Sequence, residues 1–168
     1  MPGSSPEGKR QALEMAKSLG PLEQILDVGP GDGTYYDLLH PHFPLAIFQA
    51  IEIFAPYVER YRLVEKYKTV VIADAADDIF FYTTAFDLAI FGDVLEHMEK
   101  ARAIQMVNRI PWKHALVSTP IVPFPQEGSL ENPYEAHVAQ WTTKEMLVTF
   151  HVEQYWEGSE IGVFLLRP

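Results

Sequence analysis

Short apolar runs alternate along most of the chain with stretches in which apolar and polar positions recur at helical spacing. Residues 25–28, 45–53, 69–73, 86–91 and 114–118 are apolar runs of strand length and predict strands. Residues 34–39, 56–67 and 94–110 predict helices between them, and 78–82 a short turn. Pro56 suits a first helical turn, where its missing N–H leaves no bond unmade. Strands alternating with helices build a parallel sheet covered on both faces.

The two ends depart from this rhythm. Residues 10–19 space Leu13, Ala16 and Leu19 along one helical face before Gly20-Pro21 stops the helix, and residues 1–9, rich in Pro, Gly and Ser, predict a flexible terminus. After Thr119 the segment 120–141 holds Pro120, Pro123, Pro125, Gly128 and Pro133, a loop long enough to suggest either function or disorder. Thr142 or Thr143 then caps a helix running to Phe150, with Glu145 in its first turn. Residues 152–156 and 161–166 predict a C-terminal antiparallel hairpin. The expected architecture is a single α/β domain over 10–168, doubly wound around a mostly parallel sheet of seven strands.

Composition narrows the class. A chain of 168 residues, 48% hydrophobic and 21% charged, suits one globular core. Its net charge of −10 repels phosphate backbones, so a nucleic-acid partner is not expected. No run approaches the roughly 18 apolar residues of a membrane span, and the first residues hold no apolar signal segment, so a cytoplasmic location is expected. The absence of cysteine removes thiolate catalysis and Cys-ligated zinc.

The most informative stretch is Ile25-Leu26-Asp27-Val28-Gly29-Pro30-Gly31-Asp32-Gly33-Thr34, a strand running into glycines and then a helix. Its spacing is G-x-G-x-G, whereas a dinucleotide fingerprint has G-x-G-x-x-G and would need a small residue where Thr34 stands. Asp27 would repel a pyrophosphate and suits a ligand carrying an amino group. These residues alone also allow a tight strand-to-helix turn with no ligand.

The D-x-G-x-G-x-G pattern after a strand resembles motif I of the class I S-adenosylmethionine-dependent methyltransferases. The likeness continues with Glu52 at the end of the second apolar run, Asp74 at the end of the third, and Asp93-Val94-Leu95-Glu96-His97 after the fourth. It covers roughly residues 22–168, the hairpin standing where this family reverses its last strand. It implies a Rossmann-like fold with S-adenosylmethionine as cofactor. Asp27, Gly29, Gly31 and Gly33 would form the loop, Glu52 would take the ribose hydroxyls and Asp74 the adenine amino group. Ile53, Ala75, Gly92 and Asp93 complete the implied cofactor-binding set.

Other readings of these residues remain open. Glu52 and Asp74 also suit solvated strand ends or helix caps, and Asp93 with Glu96 has the form of a capping box that would place His97 on the same helix face as Asp93. His97 is a candidate general base or a residue packed beside the cofactor. Glu135 and His137, flanked by Tyr134 and Trp141, suit a substrate lid or a surface loop pinned by Trp141. No metal site is expected: His40-Pro41-His42 lacks a third ligand nearby, and Asp77-Asp78 reads as a helix-starting charge pair. Tyr57, Tyr61, Val64 and Tyr67 read as a packing face.

Methyl transfer needs alignment of acceptor and methyl more than acid or base strength. The acidic balance favours a small neutral or cationic acceptor, or an exposed protein side chain. Two further classes share these residues: a nucleotide-dependent oxidoreductase, disfavoured by the glycine spacing, and a non-catalytic S-adenosylmethionine-binding protein.

Overall fold

The computed structural model describes residues 5–77, 85–128 and 131–168. Seven strands form one sheet: β1 (Gln24–Val28), β2 (Ile47–Glu52), β3 (Thr69–Ile72), β4 (Phe86–Gly92), β5 (Trp112–Pro120), β6 (Val152–Glu157) and β7 (Ile161–Leu166). Their order across the sheet is β3-β2-β1-β4-β5-β7-β6. Strands β1 to β5 pair in parallel, and β7 runs antiparallel between β5 and β6. The helices are α1 (Lys9–Ser18), α2 (Thr34–Leu39), α3 (Ala55–Arg60), α4 (Leu63–Lys66), α5 (Lys100–Arg109) and α6 (Thr143–Thr149). This is the expected doubly wound, mostly parallel sheet with its C-terminal hairpin.

Both faces of the sheet are buried, which is why its central strands read as continuous apolar runs. Ile25, Leu88, Ile90 and Leu116 pack on one face against Ala12 and Ala16 of α1, Leu39 of α2 and Leu63 of α4. Leu26, Ala89, Phe91 and Val117 point the other way, onto Ala103, Met106 and Val107 of α5 and Met146 of α6. The chain crosses from one side of β1 to the other between β3 and β4, and in open α/β sheets the crevice at such a switch point, beyond the strands' carboxyl ends, is where ligands bind.

Two expected helices are broken, each for a visible reason. The segment 56–67 divides at Arg62, whose φ of 53° lies in the left-handed region. The break re-aims the chain so that Leu63 and Tyr67 reach the core while Val64 faces solvent, so the anticipated common packing face does not form. The segment 94–110 divides at Met98, which is extended, into a 3-10 turn over Leu95–His97 followed by α5. The Glu96 carbonyl accepts from the amides of Val138 (2.7 Å) and Ala139 (3.0 Å), docking the long loop where a continuing helix would have bonded to itself. Asp93 is at φ 57° and caps nothing, so the capping box and the shared helix face of Asp93 and His97 are absent.

The chain is tied down before residue 10. The Glu7 carboxylate accepts from Ser159 N (2.8 Å), Ser159 Oγ (2.7 Å), Glu160 N (3.0 Å) and Ile161 N (2.9 Å), and the Ser159 hydroxyl bond leads a set that holds it down at about 2. Of the two expected caps Thr142 is the one that caps α6, and it forms a capping box with Glu145. The turn anticipated at 78–82, and Asp78 with it, lies outside the described residues. Among the described residues no helix is long and apolar enough to cross a membrane.

Candidate active site

A cavity of about 750 Å³ opens at the carboxyl ends of β1, β2 and β4. Gly29, Gly31, Glu52, Ile53, Asp74, Gly92 and Asp93, all anticipated as cofactor-binding, line it. Gly31 has φ 55°, in the region that favours glycine, so the loop presents bare backbone to the cavity. At Gly92 an added Cβ would lie 2.1 Å from the Tyr35 ring, so glycine is required for close packing there.

Three anticipated residues do not line the cavity: Asp27, Gly33 and Ala75. Asp27 is buried beneath the loop, where it accepts from the Tyr67 hydroxyl at 2.6 Å, and burial pushes its carboxyl up to about 7. Gly33 sits at the entry to α2, behind the loop.

The acids at the strand ends have definite partners. Glu52 is buried, accepts from Phe54 N at 2.8 Å and is raised to about 7, chiefly by burial. Asp74 accepts from Ala76 N and from Arg102, each at 2.8 Å, and Arg102 also pairs with Asp77 at 2.8 Å. Asp93 belongs to a polar chain that crosses the sheet. Lys9 donates to the Tyr35 hydroxyl (3.1 Å), Tyr35 donates to Ser118 Oγ (2.8 Å), and Ser118 donates to Asp93 Oδ1 (2.7 Å). Lys9 also lies 3.7 Å from Asp93 Oδ2. Sequence reasoning missed Lys9, Tyr35, Ser118 and Arg102, because each acts through a contact between distant segments.

Residues on either side of the undescribed 129–130, among them Phe124, Gln126, Tyr134, Glu135 and His137, line the cavity's other side. Trp141 anchors this loop, fully buried with its indole N–H donating to the Leu95 carbonyl at 3.3 Å. Glu135 accepts from the Tyr57 hydroxyl at 3.0 Å, which ties the loop to α3 and gives Tyr57 a role beyond packing. His137 lies against His97 with ring centroids 4.9 Å apart. Each ring is fixed by a main-chain carbonyl: Nδ1 of His97 by Ala136 (3.1 Å), Nδ1 of His137 by Phe124 (2.6 Å). A carbonyl only accepts, so each Nδ1 carries a proton, and in the neutral form of each ring the lone pair is on Nε2. Burial lowers the His137 ring below the ordinary imidazole range. The structure thus brings His97, Glu135 and His137 into one cavity wall with the glycine loop.

Glu96 joins them, a residue the sequence suggested only as a cap. It is buried, accepts from Thr119 Oγ1 at 3.0 Å, and burial pushes its carboxyl well above the usual range. His40, by contrast, stacks on Tyr36 with centroids 4.8 Å apart, as a packing residue.

A Rossmann-like sheet with a reversed last strand, a glycine loop at its switch point and acids at successive strand ends defines the class of protein. The chain matches the methyltransferase-domain family over residues 26–113 and belongs to that family, whose cofactor is S-adenosylmethionine. No curated protein sequence matches it. Among solved structures it is similar to PH0226 protein from Pyrococcus horikoshii OT3, with 16% identity over 98% of this chain and 92% of that one and a TM-score of 0.70. It is similar also to the N-terminal domain of EvdMO1 with S-adenosylhomocysteine (SAH) bound: 13% identity, 98% and 82% coverage, TM-score 0.69. A third is the mitomycin 7-O-methyltransferase MmcR, with 15% identity and a TM-score of 0.67 over 96% of this chain; this chain spans 54% of its length. At these identities the likeness is one of fold.

Proposed function

We propose that the chain transfers a methyl group from S-adenosylmethionine to a small molecule or an exposed protein side chain. The observation that carries this reading is a single cavity holding both the glycine loop with its strand-end acids and the Glu135–His97–His137 wall. The residues suit such a cofactor: Gly31 leaves a cradle that a side chain would fill, and Glu52 and Asp74 offer acceptor oxygens along the cavity to a ligand carrying hydroxyl and amino groups.

When bound, S-adenosylmethionine supplies a methyl group already activated by a positive sulfur. Glu52 holds the ribose hydroxyls, Asp74 the adenine edge, and the Gly29–Gly31 backbone the amino-acid end, with Asp27 and Tyr67 supporting the loop from below. The loop 121–141 keeps water out and orients the acceptor between Tyr134, Phe124 and the two imidazoles. A neutral Nε2 of His97 or His137 accepts the proton of an acceptor that arrives protonated.

The test is a thermal shift series with S-adenosylmethionine, SAH, NAD and NADP. A ligand specific to the folded state raises stability by about 2.7 kcal/mol at 100 times its dissociation constant. Stabilisation by the first two only is expected; stabilisation by NAD or NADP instead favours the oxidoreductase reading. A protein that binds S-adenosylmethionine yet methylates no acceptor in a broad screen is a binding module.

A further inference from the structure

We infer that Glu96, His97 and His137 form a site for one divalent first-row transition ion, placed to take an oxygen of the methyl acceptor. The three residues offer one ligand atom each, all within 4.8 Å of one another. Two separate segments bring them together. Glu96 and His97 lie on the 3-10 turn after β4, and His137 is delivered by the loop whose amides at Val138 and Ala139 grip the Glu96 carbonyl.

The two imidazoles are prepared as ligands. With Nδ1 donating to a carbonyl in each, Nε2 is left as a lone pair in a fixed orientation, the arrangement that orients metal-ligating histidines. The buried Glu96 carboxyl group stands beside these two lone pairs and completes a set of three donors.

The donor set names the ion. Two imidazole nitrogens and one carboxylate suit zinc, cobalt, iron or manganese better than magnesium or calcium, which prefer oxygen. Three protein ligands leave coordination positions open, as in catalytic rather than structural sites. Bonds of about 2.0–2.2 Å bring ligand atoms to roughly 3.5 Å from one another, so the side chains close by about an ångström on loading. The open position suits an acceptor with a hydroxyl or phenol oxygen, whose acidity the ion would raise; with the ion bound both Nε2 atoms are ligands, and the acceptor proton would leave to water rather than to either imidazole. Only this last point rests on the methyltransferase reading; ion binding does not.

The experiment uses the full chain, made without a polyhistidine tag, stripped with EDTA and titrated with Co(II) while visible absorption is followed. One equivalent should bind with saturable d–d bands. His97→Ala and His137→Ala should each weaken binding at least tenfold, and a His40→Ala/His42→Ala double variant should leave it unchanged. Uptake without saturation, or unchanged binding in both single variants, overturns the site. Glu96→Gln is a further probe with its fold checked by melting; should it not fold, the two histidine variants decide. SAH titrated into the same preparations separates the two readings. Co(II) binding without SAH binding sinks the proposed function and leaves the ion site standing; the converse sinks the ion site alone.

Discussion

Tyr67, just past the end of α4, donates its hydroxyl proton to Asp27 of β1 at 2.6 Å, directly beneath the glycine loop. The bond ties the strand that begins the loop to a helix 40 residues later. It also engages one carboxylate oxygen of Asp27, a residue that does not line the cavity. Tyr67→Phe removes the hydroxyl that donates to the buried Asp27 carboxyl. A loss of about 1–3 kcal/mol in chemical denaturation is expected, with weaker SAH binding as the loop loosens. An unchanged midpoint would show that the bond contributes nothing net.

Asp27 and Glu52 are both raised to about 7, chiefly by burial. The folded protein therefore holds protons that the unfolded chain, with carboxyls near 4, has released. The contribution of these two groups to stability is full below the ordinary carboxylate range, falls as pH rises from about 4 through about 7, and levels off above. Each proton contributes a slope of up to about 1.4 kcal/mol per pH unit. Melting temperatures measured across this range should decline accordingly, and Glu52→Gln should flatten the decline. A melting temperature that rises steadily over the interval contradicts the assignment.

Binding should show the opposite trend. A cationic ligand favours ionised Glu52, so affinity for S-adenosylmethionine should rise as pH passes through about 7. Calorimetry on Glu52→Ala should show a loss of about 1.5–3 kcal/mol, that of a charged hydrogen bond. An intact variant with unchanged affinity removes the ribose assignment.

Gly31 has φ 55° and faces the cavity. Valine there meets both obstacles, since a β-branched residue is strained in that region by about 1–3 kcal/mol and its methyls enter the cofactor's space. Gly31→Val should fold, with a lowered melting temperature, and fail to bind SAH in equilibrium dialysis. Normal binding would reduce the loop to a turn.

How far these features could be read from the sequence depends on their range. Local patterns carried the strands, the α6 capping box and the glycine loop, because a strand-to-helix turn announces itself within ten or so residues. The breaks at Arg62 and Met98 were not legible. Each trades helix continuity for contacts with distant segments: Leu63 and Tyr67 with the core, the Glu96 carbonyl with Val138 and Ala139. The same holds for the site. Glu52 and Asp74 stand at ends of periodic runs, whereas the Lys9–Tyr35–Ser118–Asp93 chain joins α1, α2, β5 and the end of β4, and no spacing rule links them. Asp27 shows the limit most plainly, since its position in the motif gave its identity and only burial under the loop gave its role.

The loop 121–141 should control the acceptor and leave the cofactor alone. Its anchors, the Trp141 indole on Leu95 and the paired amides on Glu96, lie on the segment after β4, while Glu135 reaches across to Tyr57 on α3. The glycine loop hangs instead from β2, through the Gly29 amide on the Ile51 carbonyl at 2.8 Å. The two halves of the cavity thus rest on different supports, and loosening one need not move the other. His137→Ala and Glu135→Gln should keep SAH affinity within a few-fold of the parent protein, while turnover of an acceptor found by screening falls by about 100-fold or more, as expected for loss of a positioned acid–base group. Parallel loss of affinity and turnover would place the loop in the cofactor site. No change in either would reduce it to a surface loop held by Trp141 and shift the search for the proton acceptor to His97.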